Sequence, residues 1–395
     1  MKILVACQYY APEPFRISDI CEALAEQGND VTVVTGTPNY PEGEIYPGYE
    51  KGARADEVIG GVRVHRCPLI PRKSGAVYRF LNYYSFVWSS RRYLRKMKED
   101  FDVVFVNQLS PVMMAEGALA WAKRNHRRCV LYCLDLWPES LLAGGIGQGS
   151  PIYQLFLRIS RRIYRSADGI LVSSRGYAEY FREKFQIENV RYLPQYAEDL
   201  FGELPQPTEE KQTVDFLFAG NVGSGQSVET IVEAARLLKN ERTIHIHIVG
   251  GGISLEKCRI LAEGLPNITF YGRQKLEQMP RYYAMADVFL VSLVKDPVLS
   301  MCLPGKVQSY LAAGKPVVGA IDGEAARVIR EAECGMCAPA EDPETLAELI
   351  RRMAAQPELR KQYGVNARQY YRAHFQKEKF ISDLAAVLQE NAAEH

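Results

Sequence analysis

Glycines and one lysine in the second half of the chain have the spacing of a phosphate-binding site. Residues 220–225, with the sequence GNVGSG, separate a predicted strand from a predicted helix, so their backbone N–H groups can approach an anion. Lys306 follows Pro304 and Gly305 at the start of another predicted helix. A lysine beside the positive end of a helix is unfavourable unless an anion joins it. Tight packing alone would also explain the glycine turn, because the full dinucleotide-binding and P-loop patterns are absent.

Acidic residues follow a predicted strand in the first half of the chain. Asp135 and Glu139 stand in the segment DLWPES, directly after the apolar run that ends at Leu134. Polar side chains just past a buried parallel strand face the ligand-binding edge of its sheet, so both carboxylates are candidate site residues. A loop cap at Asp135 and a helix-start charge at Glu139 are the alternative. The loop 37–43, TPNYPEG, follows another strand, and turn-forming residues alone would account for it.

Residues 72–98 combine eight basic residues with seven aromatic ones and contain no acid. A basic, aromatic-rich amphipathic helix can lie in a bilayer interface and be held there by anionic lipid. A helix packed on the core with a solvated basic face is the alternative. No RNA-binding signature accompanies the segment, and the net charge of the whole chain is only +1, so we do not expect a nucleic-acid partner.

Composition indicates an ordinary globular protein of about two domains, since the chain has 395 residues, 47% of them hydrophobic. Its nine cysteines stand mostly in apolar stretches, as reduced cysteines of cytoplasmic proteins do. Cys334 and Cys337 have C-x-x-C spacing but no second pair nearby, so we predict no zinc site there. We also expect no other metal and no cofactor. The apolar start is too short for a signal peptide, and we expect a cytoplasmic location.

The elements that must position these residues are alternating strands and helices. Two series of strands are predicted, at 3–6, 31–35, 62–66, 103–106, 130–134 and 170–173, and at 216–219, 244–249, 268–271, 288–292 and 317–319. Helices are predicted at 17–26, 151–165, 228–238 and 345–353, with a final helical stretch at 367–390. This alternation predicts the α/β fold class with parallel sheets. The segment 194–213 is rich in Pro and charge and predicts a linker between two domains that face a cleft.

Taken together, these segments resemble the retaining family 4 glycosyltransferases of the GT-B fold over nearly the whole chain. Within that family the chain is most similar to the bacterial WbuB-like amino-sugar transferases of O-antigen and capsule synthesis. The resemblance is carried by residues 8–14, 37–43, 135–140, 220–223, 304–306, 310–316 and 322–326.

The resemblance implies two Rossmann-like domains, with residues 1–195 binding the acceptor and residues 210–365 binding the nucleotide-sugar. Residues 366–395 would be helical and pack back on the first domain. The implied reaction moves a sugar, with retention, from a nucleotide diphosphate donor, usually a UDP-sugar. The acceptor would be a glycan or a polyprenyl-diphosphate-linked sugar. The resemblance thus implies a cytoplasmic enzyme. Whether residues 72–98 also contact the inner face of the plasma membrane is left open.

The resemblance and the residue patterns together nominate three sets of site residues. The candidate catalytic residues are Asp135, Glu139 and Lys306. The candidate donor-binding residues are Gly220, Asn221, Gly223, Gln226, Gly250, Arg273, Pro304, Gly305, Lys306, Ser309 and Glu324. The candidates for contact with the acceptor or a phosphate are Arg16, Asn39 and Tyr40.

The chain departs from the family pattern at three places. Many members carry two glutamates eight positions apart, where this chain has Met301 and Ser309. Asn221 and Gln226 replace an arginine and a lysine, and Phe15-Arg16 replaces a glycine pair after the first strand. A nucleotide-sugar epimerase and a non-catalytic nucleotide-sugar-binding protein therefore stay open as alternatives. A nicotinamide dehydrogenase is disfavoured by the incomplete glycine pattern.

Overall fold

The chain forms two compact units in a computed structural model that describes residues 1–73, 75–202, 204–205 and 211–393. Unit 1 comprises Met1–Ser173, Tyr177–Leu193 and Ile381–His395, and unit 2 comprises Ser174–Gly176 and Pro194–Phe380. Glu203, Pro207, Glu209 and Glu210 of the predicted linker lie outside the described residues, as do the last two residues of the chain.

Unit 1 is built on an eight-stranded sheet in the order β3-β4-β2-β1-β5-β6-β7-β8, parallel except for the pair β3 and β4. Its strands are β1 (Lys2–Ala6), β2 (Asp30–Gly36), β3 (Asp56–Ile59), β4 (Val62–Cys67), β5 (Val103–Gln108), β6 (Arg128–Cys133), β7 (Gly169–Val172) and β8 (Val190–Tyr192). Its helices are α1 (Ile17–Glu26), α2 (Ala76–Lys96), α3 (Glu116–Arg124) and α4 (Pro151–Arg165), and α5 (Arg175–Tyr180) begins in the segment assigned to unit 2.

The strand order of unit 1 reverses between β1 and β5, which are neighbours in the sheet. Both strands are fully buried beyond their first residue because helices cover both faces of the sheet. In such sheets ligands bind outside the carboxyl ends of the strands at the reversal point. The loops after β1, β2, β5 and β6 are therefore the ones that can form a site in this unit.

Unit 2 has a six-stranded parallel sheet in the order β11-β10-β9-β12-β13-β14. Its strands are β9 (Val214–Ala219), β10 (Ile244–Val249), β11 (Ile268–Gly272), β12 (Val288–Ser292), β13 (Val317–Ala320) and β14 (Gly335–Ala338). Its helices are α6 (Val228–Leu237), α7 (Leu255–Leu261), α8 (Met279–Met285), α9 (Pro297–Ser300), α10 (Gly305–Ala312), α11 (Gly323–Glu331), α12 (Pro343–Ala355) and α13 (Pro357–His374). The order reverses between β9 and β12, so the loops that follow these two strands flank the reversal point.

The predicted α/β class is confirmed, and each of the eleven predicted strands is present. The three strands that the sequence pattern missed, β3, β8 and β14, all lie at sheet edges. Edge strands are short and partly polar or rich in small residues because one side faces solvent, so they lack the buried apolar pattern. None of the three reaches the ligand-binding edge near a reversal point.

The predicted final helical stretch is two helices, because α13 ends at His374 and α14 (Lys377–Ala393) begins three residues later. Phe375 leaves the helical conformation, with a φ of −127°, and its buried side chain joins the core of unit 2. Among the described residues, no helix is both long enough and apolar enough to span a bilayer.

Candidate functional site

The glycine loops after β9 and β10 pack directly against each other in unit 2. Gly220 has a φ of +143° and Gly250 a φ of +152°, and a Cβ on Gly250 would lie 1.7 Å from the Gly220 carbonyl oxygen. Gly252 has a φ of +158° and approaches the Val222 carbonyl in the same way. These positions need glycine because no side chain fits between the two loops.

This packing uses two of the N–H groups that the glycine turn would otherwise offer to an anion. The N–H groups of Gly220 and Val222 donate to the carbonyls of Val249 and Gly251, each at 2.9 Å. Within the described part of the chain, the N–H groups of Asn221 and Gly223 have no hydrogen-bond partner. Asn221 and Gly223 therefore keep N–H groups that can donate to an anion, whereas those of Gly220 and Val222 are already paired.

Lys306 lies beside this turn, at the start of α10. Its ammonium donates to Gln226 Oε1 at 2.5 Å and lies 3.8 Å from the centre of the Phe218 ring. A Cβ on Gly220 would lie 3.3 Å from Lys306 Nζ. Burial lowers the pKa of Lys306 to about 7, and no carboxylate in the described ranges pairs with it. The arrangement leaves a desolvated cation at the reversal point of the sheet.

The first turn of α10 adds further donors at the same place. Pro304 precedes the helix with a φ of −63°, and the N–H groups of Gly305 and Lys306 have no partner among the residues that the structure describes. The positive end of the helix dipole favours an anion there. Sequence reasoning placed Gly220, Gln226, Gly250 and Lys306 in one site, and the structure brings these four together.

Three further predicted donor residues have different surroundings. Arg273 follows β11, its Cβ would lie 3.3 Å from a Cβ on Gly251, and its side chain is exposed. Glu324 is the second residue of α11 and is buried against Arg327, and burial raises its pKa. Ser309 is buried and donates to the Gly305 carbonyl of its own helix at 3.3 Å.

Tyr310 positions the loop after β9, and sequence reasoning did not select it as a site residue. Its hydroxyl accepts the Ala219 N–H at 2.9 Å and donates to the Ala219 carbonyl at 3.1 Å. Its ring stacks on Phe289, with the ring centres 4.1 Å apart. The tyrosine therefore fixes α10 to the end of β9 and keeps Lys306 next to the glycine turn.

Replacing Tyr310 by Phe is expected to keep the ring stacking and to lose both hydrogen bonds. Because two buried backbone groups of Ala219 would be left unpaired, unfolding free energy should fall by about 1–3 kcal/mol. Thermal unfolding measures this loss. A Tyr363→Phe variant, whose ring is only partly buried in α13, is the matched control and should unfold as the wild type does. Unchanged stability of the Tyr310 variant would contradict the conclusion that this tyrosine fixes α10 to the end of β9.

A cavity of about 660 Å³ lies at the reversal point of the sheet in unit 1. Of its nineteen lining residues ten are apolar, four are tyrosines and five are charged or hydroxyl-bearing, so its wall is mostly hydrophobic. The loops after β1, β2, β5 and β6 contribute one part of the wall, and α2 and α4 contribute the other. The size is in the range of about 300–1,000 Å³ typical of small-molecule sites.

Arg72 and Asp135 are the principal charges in this cavity. The Arg72 guanidinium lies 5.6 Å from the ring centre of Tyr40 and 5.7 Å from that of Tyr83, and it bonds to Tyr9. Asp135 accepts the Ser110 N–H at 3.2 Å, and burial raises its pKa. The predicted placement of Asp135 at the ligand-binding edge thus corresponds to a lining position, beside an arginine that motif reasoning did not nominate.

Asn39 and Tyr40 have separate tasks in the loop after β2. Asn39 is fully buried, and its Oδ1 accepts the Arg72 N–H at 2.8 Å while its Nδ2 donates to the Thr37 carbonyl at 3.0 Å. Its side chain therefore holds the backbone of Arg72. Tyr40 lines the cavity.

Glu13 holds the loop after β2 in place, and sequence reasoning did not select it as a site residue. Its Oε1 accepts the N–H groups of Asn39 and Tyr40 at 2.9 and 2.7 Å. Burial raises its pKa to about 7. The signal in the sequence was an acid between two prolines in an otherwise apolar segment, which cannot be told from a surface turn without the structure.

Glu139 and Arg16 lie outside the cavity lining. Glu139 is 2% exposed, and its Oε1 accepts the hydroxyls of Tyr153 and Tyr180 at 2.7 and 2.5 Å. Arg16 immediately precedes α1 and its carbonyl accepts the Ile20 N–H. The geometry makes Glu139 a bridge between α4 and α5.

Sequence comparisons cover both halves of the chain. Residues 15–195 match the family described as glycosyl transferase 4-like domain, and residues 213–356 match glycosyl transferases group 1. The putative colanic acid biosynthesis glycosyl transferase WcaI of Escherichia coli K12 is 28% identical, with 97% of this chain and 100% of that protein covered. The probable glycosyltransferase WbjE of Pseudomonas aeruginosa is 29% identical over 66% of this chain and 69% of its own.

Solved glycosyltransferase structures share the fold. Sucrose-phosphate synthase from Thermosynechococcus elongatus superposes with a TM-score of 0.76 and 18% identity over the full length of both chains. This chain is a family 4 glycosyltransferase of the GT-B fold. Among its other structural neighbours, WaaG, a glycosyltransferase of lipopolysaccharide biosynthesis, has a TM-score of 0.68 at 18% identity over 98% of this chain and 99% of its own. Anabaena HepE in complex with UDP and glucose has a TM-score of 0.71 at 13% identity over 98% and 99%.

In this glycosyltransferase the two glutamate positions of the family are occupied by side chains of different chemistry. Met301 follows α9 and is partly buried, and the Ser309 hydroxyl is turned back on its own helix. No group of three or more His, Cys, Asp or Glu side chains within the described ranges could hold a metal ion. Lys306 and the unpaired amides are the groups that can meet a diphosphate at the reversal point of unit 2.

Proposed function

We propose that this enzyme transfers a sugar from a UDP-sugar, with retention at the anomeric carbon, to a polyprenyl-diphosphate-linked acceptor of cell-surface polysaccharide synthesis. Unit 2 binds the donor and unit 1 binds the acceptor. The single observation that carries the donor half is the Lys306 ammonium, which lies beside unpaired N–H groups at the sheet reversal of unit 2.

Departure of a nucleoside diphosphate from a sugar requires that its growing negative charge be stabilised. Preorganised N–H groups and a desolvated cation do this without reorganisation during the reaction. Lys306, whose pKa burial lowers to about 7, becomes fully protonated when an anion binds beside it. A complex of HepE with UDP supports uridine as the nucleoside, and the family resemblance supports retention.

Two relatives support an acceptor from cell-surface polysaccharide synthesis, since WcaI is named for colanic acid and WaaG for lipopolysaccharide. A membrane-bound acceptor requires the enzyme to reach a lipid surface. Two helices of unit 1 offer such a surface, which we call the α2–α4 face. It consists of the exposed side chains Val77, Leu81, Trp88, Arg92, Arg95 and Lys96 of α2 and Ile152, Leu155 and Arg158 of α4.

Nucleotide binding tests the donor half of the proposal. A ligand that binds the folded state raises stability by RT ln(1 + [L]/Kd), so UDP at 100 times its Kd should add about 2.7 kcal/mol to the unfolding free energy. Thermal unfolding is measured with UDP, GDP, ADP and TDP at equal concentrations. UDP should give the largest increase in Tm. Absence of any nucleotide-dependent increase would refute a nucleotide-diphosphate donor.

Met301 and Ser309 favour a second candidate, a nucleotide-sugar-binding protein without turnover, because the two glutamates of the family are missing. Incubation of the enzyme with a UDP-sugar and polyprenyl-diphosphate saccharides extracted from bacterial membranes separates the two. Release of UDP together with an α-linked product from an α-linked donor supports retaining transfer. Binding of UDP with no release supports the second candidate, and formation of an epimerised UDP-sugar would indicate an isomerase.

A further inference from the structure

We infer that the cavity of unit 1 binds the lipid-diphosphate portion of the acceptor rather than its sugar. In this assignment the first prenyl units lie among the aromatic and aliphatic side chains of the cavity, and the diphosphate lies against Arg72. The inference rests on the proposed function in one respect, since it specifies how a lipid-linked acceptor is recognised.

The composition of the wall favours a hydrocarbon ligand over a glycan. A buried sugar hydroxyl without a hydrogen-bond partner costs free energy, and a saccharide carries several hydroxyls on each ring. Ten of the nineteen wall residues are apolar and four are tyrosines that present ring faces as well as hydroxyls, whereas the other five are arginine, aspartate or serine. Phe80, Met113, Trp137 and Phe156 form surfaces that a branched unsaturated chain can cover.

Arg72 provides the anion-binding part of the cavity. Within the described residues no carboxylate forms an ion pair with its guanidinium, which is held instead between the rings of Tyr40 and Tyr83. The backbone N–H of Arg72 donates to Asn39 Oδ1, and this hydrogen bond fixes the backbone of Arg72. A guanidinium held in this way is preorganised for bidentate contact with phosphate oxygens.

The other charges of the cavity are compatible with a diphosphate. Arg79 adds a second cation to the wall, so two arginines face one carboxylate. Burial already raises the pKa of Asp135, and a diphosphate beside it would raise that pKa further. Asp135 can therefore become neutral and donate a hydrogen bond instead of repelling the ligand.

The rim of the cavity shows where a longer lipid would continue. Phe80 of α2 and Ile152 of α4 both line the cavity and are each 52% exposed. They lead onto Val77 and Leu155, which are exposed apolar neighbours on the same helices. A prenyl chain that fills the cavity can thus leave it along the α2–α4 face.

Binding of farnesyl diphosphate, inorganic pyrophosphate and farnesol to the whole protein tests the inference by titration calorimetry. Farnesyl diphosphate should bind at least tenfold more tightly than pyrophosphate, with a negative heat-capacity change, and farnesol should compete with it. Arg72→Gln should weaken farnesyl diphosphate about 10–100-fold and leave farnesol unchanged, because only the charged contact is lost. Arg72→Lys should lose less.

Two neighbouring residues of α4 provide a matched pair for the lipid part. Ile152 lines the cavity and Leu155, which is 54% exposed, does not. Ile152→Asp should weaken farnesyl diphosphate about tenfold or more because a charge then lies against the hydrocarbon, whereas Leu155→Asp, which lies beyond the cavity lining, should weaken it much less. Both substitutions are at exposed positions, and thermal unfolding confirms that the variants fold.

Three outcomes would overturn the inference. Equal affinity for pyrophosphate and farnesyl diphosphate would assign the cavity to a free phosphate compound, equal effects of the Ile152 and Leu155 variants would place the lipid elsewhere, and no binding of farnesyl diphosphate would remove the site. The UDP-dependent rise in Tm is measured on the same preparations. Its presence without farnesyl diphosphate binding refutes this inference alone, whereas its absence refutes the donor half of the proposed function.

Discussion

Replacing Lys306 by Ala is expected to lower the rate of sugar transfer on the order of 10²–10³-fold, the scale for loss of one preorganised contact to a developing charge. The ammonium lies beside Gly220 and the unpaired amides of the glycine turn, so it is the cation placed to meet the leaving diphosphate. Initial rates of UDP release at saturating acceptor measure the effect. A wild-type rate in the alanine variant would contradict the assignment.

The lowered pKa of Lys306 adds a pH dependence to this prediction. Because this pKa is about 7, the ammonium loses its proton as pH rises through 7. The rate at low donor concentration should therefore fall above pH 7 in the wild type. In a Lys306→Arg variant it should stay level to higher pH, since a guanidinium remains protonated.

Stability should respond in the opposite direction to activity. Burial disfavours the charged form of Lys306 in the folded protein, whereas an unfolded lysine keeps its usual pKa near 10.4. Between these values the unfolded state binds more protons, so this lysine makes stability rise with pH from about 7 to about 10. A Lys306→Met variant should have a higher Tm than the wild type at pH 7 and should lose that slope.

Lys315 is the matched control because burial also lowers its pKa, to about 8. Its ammonium donates to the carbonyls of Tyr283 and Ala284 at 2.8 Å and to that of Ala286, so its charge is satisfied by the end of α8. Lys315→Met should therefore lower the Tm and leave UDP affinity unchanged. A lower Tm in both methionine variants would make Lys306 a structural lysine as well.

The central strands and the polar residues after them were predictable because of where they lie in the sheets. β12, for example, is buried along its whole length and has a continuous apolar run up to Ser292, so its observed bounds match the predicted ones. Lys306 was predictable because a cation at a helix start is unfavourable without an anion. Edge strands such as β14 carry no such pattern and were missed.

The tasks of individual side chains were less predictable than their positions. Asn39 and Glu139 follow strands at the ligand-binding edge, as expected. However, the side chain of Asn39 bonds to backbone groups, and that of Glu139 accepts the hydroxyls of two tyrosines. The direction of a side chain depends on long-range partners that the local sequence does not reveal. The cavity could not be predicted for the same reason, because its lining residues are as far apart in the sequence as Tyr9 and Phe156.

The α2–α4 face is expected to bind anionic bilayers. Val77 and Trp88 are 71% and 68% exposed, and Trp88 lies against Arg92, so the exposed apolar side chains of α2 are followed by basic ones at its C-terminal end. α4 adds Arg158 to this face and contains no acid. Each Lys or Arg near an anionic surface contributes about 1 kcal/mol of binding.

Reversing three exposed cations of α2 should therefore remove most of that affinity. Arg92→Glu, Arg95→Glu and Lys96→Glu together should weaken binding to vesicles of phosphatidylcholine and phosphatidylglycerol about 100-fold or more, since three favourable contacts become repulsive. Arg91 is left unchanged because it pairs with Glu116 at 3.5 Å. Cosedimentation at low ionic strength measures the loss, and added salt should weaken the wild type toward the variant.

Three exposed cations of unit 2 provide a control of equal charge. Lys239→Glu, Arg352→Glu and Lys361→Glu change the net charge by the same amount at positions away from the α2–α4 face. This variant should bind the anionic vesicles nearly as the wild type does, and vesicles of phosphatidylcholine alone should bind all three proteins weakly. Equal losses in both triple variants would mean that net charge, rather than this face, governs attraction to the bilayer. No loss in the α2 variant would show that these three cations do not hold the protein on the bilayer.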